Sequence, residues 1–124
     1  MLLACPRHEP DTVEALMPQT CRQYWWNLQG RCRLNFNWAA INHDSTVVVT
    51  ASEYSVDGND PRHSPRFVGG ATITVENISP HAPPYDPNHG VTFVVNVDWG
   101  APLHIVTDIT VLDGPPVDIE YQNG

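Results

Sequence analysis

His43, His81 and His89, together with Asp86, are the side chains whose types could hold a metal, because neutral imidazole plus carboxylate suits a divalent transition ion such as Zn, Fe(II), Ni or Cu. Asp44 and Asp113 lie in neighbouring turns and would extend the set. Two of the histidines and Asp86 sit in "SPHAPPYDPNHG", residues 79–90, which holds four prolines. A stiff loop presents imidazoles in fixed geometry and lowers the ordering cost of binding. The same prolines also reduce unfolded-state entropy and keep an exposed loop from pairing as a strand. The spacing matches no known metal pattern, and a histidine in a polar loop is usually solvated, so the second account carries more weight. Asp57, Asp60, His63 and His104 form a weaker set, in which His104 beside an apolar strand is expected to be structural.

Other chemistry finds little support. The chain has no G-x-S-x-G elbow, no phosphate-cradling glycine loop and no H-E-x-x-H, since "HEPDT" ends in Thr12. "DGND" at residues 57–60 lacks the spacing of a calcium loop. Cys5, Cys21 and Cys32 contain no C-x-x-C, which speaks against zinc. A thiol nucleophile would need Cys21 or Cys32 beside a histidine, and free cysteines are more often inert. Reduced thiols are expected, with a Cys21–Cys32 bridge across a hairpin as the alternative in an oxidising compartment. No residue is singled out as catalytic.

"QYWWN" at residues 23–27 is the most distinctive aromatic cluster. On a strand Tyr24 and Trp26 face opposite to Trp25, so one side enters the core and the other must be covered or exposed. Arg22, Arg31 and Arg33 lie nearby, and Trp, Tyr and Arg together are a typical interface composition. These six residues form the candidate interface, and an exposed indole would also suit a sugar ring.

Charge points the same way. The net charge is −8, and no lysine is present. Residues 1–66 carry seven acids and all six arginines, for −1, whereas residues 67–124 carry seven acids and no basic residue, for −7. That acidic half repels a phosphate backbone, which disfavours nucleic acid, and a polybasic membrane patch is missing. An acidic face meeting an arginine-bearing face of another copy is the more specific reading of this split; solubility is the plainer one.

The elements that must position these residues are strands. Period-two alternation runs through "RLNFNWAA", "ATITVENI", "VTFVVNVDW", "IVTDITVL" and "VDIEY", and "TVVVTASEYSV" is rich in β-branched residues. "CRQYWWNL", ending at Gln29-Gly30, is read as a further strand turning into the next. Gly69-Gly70 marks a bulge or sharp bend. The expected fold is a single antiparallel β-sandwich or small β-barrel of six or seven strands in a meander. Residues 1–19 are read as an irregular segment with a short helix capped by Asp11 and stopped by Pro18; residues 20–124 form the all-β domain. In a meander, the turn at His43, the loop at residues 79–90 and the Asp113 turn share one end.

The sequence thus predicts a non-catalytic all-β interaction module, self-associating into a homo-oligomer or docking onto a larger protein assembly. A small β-barrel enzyme or ligand-binding protein using the His/Asp end is the alternative, and a carbohydrate-binding module the third reading. The absence of a signal peptide or an apolar span sets the expected location as cytoplasmic, with incorporation into a larger particle compatible with it.

Overall fold

The computed structural model describes residues 17–112 and 114–122. The expected helix near Asp11 and the carboxylate of Asp113 fall outside the described residues. Seven strands form: β1 Gln19–Leu28, β2 Gly30–Asn37, β3 Val47–Tyr54, β4 Arg66–Phe67, β5 Thr72–His81, β6 Gly90–Asp98 and β7 Leu103–Val111. The only helical element among the described residues is a 3-10 turn at Pro61–His63. Among these residues no helix is long and apolar enough to cross a membrane.

The strands make two antiparallel sheets, β1-β7-β3-β4 and β2-β6-β5, packed as a curled sandwich, so the all-β antiparallel expectation holds. The central strands are the ones whose residues are apolar on both faces. On β6, Val91, Phe93, Val95 and Val97 face the core, while Val94 on the outer face is only 5% exposed. Val94 lies between Arg33 and Glu76 on the flanking strands, whose aliphatic stems can cover it while their charges stay in water. On β7, Ile105, Thr107, Ile109 and Val111 are buried, and so is outward Val106.

Strand order is not a simple meander, because only β3–β4 and β5–β6 are both consecutive and paired. β1 and β2 follow one another but lie in different sheets. The passage between them uses a register break between Trp25 and Leu28, Asn27 at φ 57° and Gly30 at φ 66°, a left-handed conformation that glycine adopts without a Cβ penalty. Gly69-Gly70 is likewise a bend, carrying the chain from β4 in one sheet to β5 in the other.

The end-grouping survives this reordering, because antiparallel strands still alternate in direction. Trp38 N–H donates to His89 O at 2.9 Å, and Leu112 N–H donates to Thr46 O at 3.0 Å, joining the three connections at one end. Fully buried Ile41 lies in the connection after β2 and belongs to the core cluster.

One expected strand is absent. "VDIEY" at residues 117–121 has strand periodicity, yet residues 114–122 form no strand. β7, which precedes it, is already flanked by β1 and β3, so the following segment has no vacant position beside its own predecessor. Cys21 is disulfide-bonded whereas Cys32 is a free thiol, so the alternative Cys21–Cys32 bridge does not form, and for Cys21 the expected reduced thiol is replaced by a disulfide.

Candidate functional site

The histidine-bearing end uses its imidazoles to tie the chain together. β5 ends at His81 and β6 begins at Gly90, so the loop proper is residues 82–89. Tyr85 and Asp86 N–H both donate to Ala82 O, and Asn88 N–H donates to Asp86 Oδ1, which folds the loop on itself. His81 Nδ1 donates to Asn88 O at 2.7 Å, and its Nε2 lies 2.7 Å from Asn35 Oδ1 on β2. Asp86 Oδ1 stands 3.4 Å from the same Nδ1. His89 Nδ1 donates to Ile41 O at 2.7 Å. His43 meets Tyr85 edge-on, with ring centroids 5.0 Å apart.

The structure therefore brings His43, His81, His89 and Asp86 to one end but engages each imidazole separately. Both nitrogens of His81 are occupied, which leaves no lone pair directed at an ion. Among the described residues no three His, Cys, Asp or Glu side chains converge as a metal site. The cavity beside this end, between Gln19, Asn42, Asp44 and Pro115, is about 130 Å³, below the roughly 300 Å³ of a small-molecule pocket. At the other end Asp60 pairs with His63 at 2.5 Å, which lowers the Asp60 carboxyl pKa.

The candidate interface residues divide among three surfaces. Trp25 points inward, meeting Phe93 edge-on at 6.5 Å and donating its Nε1–H to Thr107 Oγ1 at 2.9 Å. Arg31 and Arg33 lie on the outer face of β2 in the second sheet. Arg22, Tyr24 and Trp26 share the outer face of the first sheet. Strand parity separates Trp25 from its neighbours, and the sheet change at Gly30 separates the arginines.

On that first outer face an aromatic group is built around β7. Trp26 packs edge-on against His104 at 4.8 Å, Tyr54 lies 5.7 Å behind the same imidazole, and Tyr24 meets Tyr54 at 4.7 Å. Tyr24 O–H donates to Arg62 O, and Ser55 N–H donates to Pro65 O, so the loop after β3 closes over Tyr54. Burial and Tyr24 raise the Tyr54 phenol pKa. Among the described residues His104 Nδ1 is buried without a hydrogen-bond partner, so this structural histidine is held by ring packing on that side. Trp26 remains 62% exposed on this face, within the register break between Trp25 and Leu28.

Beside this group Asp108 accepts Arg22 Nε at 2.6 Å and Nη2 at 2.9 Å, and Arg66 Nη1 at 3.2 Å. The Arg22 hydrogen bonds lower the Asp108 carboxyl pKa, outweighing partial burial, and Asp108 in turn raises that of Arg22. Because the folded carboxyl titrates below its unfolded value of about 3.9, its contribution is complete well above that pH and is lost as pH falls through the depressed folded value. Asp108→Asn should cost about 1 kcal/mol at neutral pH, a modest figure because Arg22 is part-exposed. It should also make the loss of stability on acidification shallower in denaturant titrations. An unchanged acid slope would contradict the role given to Asp108.

A second open groove, about 310 Å³, runs along Thr50, Ser52, Arg66, Phe67 and Val68. It has the volume of a small pocket, but lies open along the face rather than enclosed.

Comparison with family models, curated proteins and solved structures finds no match to this chain, so its functional reading rests on its own residues and geometry.

Proposed function

We propose that the chain is a non-catalytic all-β interaction module that self-associates, or docks onto a larger protein assembly, through exposed aromatic surface. The observation that carries this reading is Trp26: a large indole, 62% exposed, held by ring contact with His104. An aromatic side chain fixed before binding loses little conformational freedom on association, and tryptophan is enriched among residues that dominate interface energetics. Tyr54 supports His104 from behind, and the loop closing on Tyr24 supports Tyr54. Exposed Arg33, which has no ion-pair partner among the described residues, and exposed Asp118 and Glu120 offer electrostatic complementarity between copies.

Trp26→Ala should weaken self-association about 30-fold, the effect of losing an interface residue worth roughly 2 kcal/mol. Its folding stability should change by about 1 kcal/mol or less, because most of the indole is outside the core. Sedimentation equilibrium of the native and substituted chains, paired with thermal melts, measures both. Equal association constants for the two chains would remove Trp26 from the interface.

A further inference from the structure

Residues 117–121 have the pattern of a strand but pair with no strand among the described residues. Val117, Ile119 and Tyr121 are 97%, 75% and 95% exposed, alternating with Asp118 and Glu120. Such a pattern gives one apolar and one acidic face when the backbone is extended. Among the described residues the two acids form no ion pair.

The β2 edge has the complementary pattern. Among the described residues β2 lies at the outside of its sheet, pairs in unbroken register with β6 on one side, and contains no proline. Arg31 and Arg33 stand two residues apart on its outer face, with Cys32 and Leu34 half-buried on its inner face. Arg31 reaches Glu76 only at 3.8 Å, and Arg33 has no ion-pair partner among the described residues. Leu34 on β2 and Trp38 just after it are only partly buried against the core. The β5 edge is a poorer template, because its register breaks between Glu76 and Ser79 and Pro80 lacks an N–H.

We infer that residues 117–121 of one copy add as a strand to the β2 edge of a second copy. This rests on the self-association reading and names its contact. The added strand sets Asp118 and Glu120 against Arg31 and Arg33, with the same two-residue spacing whichever way it runs. Val117, Ile119 and Tyr121 then extend the apolar layer beside Cys32 and Leu34. Main-chain hydrogen bonds to a free edge supply affinity, and the alternate side chains supply selectivity. Two β2 edges brought together would juxtapose like charges, so the arginines disfavour edge-to-edge pairing while accepting an acidic strand.

The test uses the full chain with two double substitutions, Asp118→Lys with Glu120→Lys, and Arg31→Glu with Arg33→Glu. Each alone should weaken association about tenfold or more in sedimentation equilibrium, since two favourable pairs become repulsive. Mixing the two variants should restore association towards the native value, because each mixed contact is either native or charge-swapped in both partners. All of these positions are exposed, so melting temperatures should stay near native. Native-strength association of both variants, or failure of the mixture to recover, overturns the tail contact while leaving association through Trp26 standing. A native chain that stays monomeric at every concentration instead overturns the association reading itself.

Discussion

Phe93→Ala is expected to remove about 3–5 kcal/mol of folding stability, the usual cost of emptying a fully buried aromatic site. Phe93 is 0% exposed on the central strand β6, opposite Leu34 on β2 and edge-on to Trp25 of the facing sheet. It therefore contacts both layers of the sandwich, and neither can move inward alone to fill the space. Against a typical domain stability of about 5–15 kcal/mol, the loss leaves a marginally folded chain. Val117→Ser, at a position 97% exposed, should change stability by about 0.5 kcal/mol or less. Denaturant midpoints for both chains check the contrast. A Phe93→Ala cost below about 1 kcal/mol would mean that the two sheets do not pack through this ring.

Gly90→Ala is expected to cost about 3 kcal/mol, near the upper end for overpacking a tight site. A Cβ at this position would stand 2.5 Å from Phe36 O, 2.9 Å from Asn37 Cα and 3.0 Å from His81 Cε1. Two of those atoms belong to the β2 backbone, which cannot rotate away as a side chain would. The substitution must part the end of β2 from β6 and disturb the His81 tie to Asn35. Gly58→Ala, with nothing within 4 Å of the added carbon, is the matched control and should be nearly neutral. Comparable denaturation midpoints for the two alanine variants would contradict the close approach of β2 to Gly90.

The strands were legible because burial on one face leaves a direct trace in residue order. Val91, Phe93, Val95 and Val97 alternate along β6, and the same alternation separates inward Trp25 from outward Tyr24 and Trp26. Which connections share an end was legible too, since that depends on alternating strand direction and not on which strands pair. Strand order was less accessible: Gln29-Gly30 resembles a hairpin turn, yet Gly30 takes the chain into the other sheet. The partners of the histidines left no trace, because Asn88 O and Ile41 O are backbone acceptors that any residue would offer, and Asn35 meets His81 only through the pairing of β2 and β5 with β6. Asp108 reads only as an outward strand residue; its pairing with Arg22 spans 86 positions and depends on cross-strand register. "VDIEY" shows the converse. Periodicity reports that a segment is suited to a sheet, not that its own sheet has room.

The histidine end and the aromatic face differ in what they leave available. His81 engages both ring nitrogens and His89 one, so the proline-rich loop is secured by hydrogen bonds to backbone and amide groups. Trp26 contributes little to closing the core, yet it packs edge-on against His104 and stays mostly exposed. The β2 edge, which carries no further strand among the described residues, and the exposed acidic residues of segment 117–121 add polar complementarity to that apolar anchor.

Light scattering of the unmodified chain across a wide concentration range, at low and at high salt, tests self-association most directly. Self-association gives a mass above the 13.8 kDa of one copy that rises with concentration and falls as salt screens the arginine–carboxylate contacts. A constant mass of one copy at high concentration and low salt would contradict it.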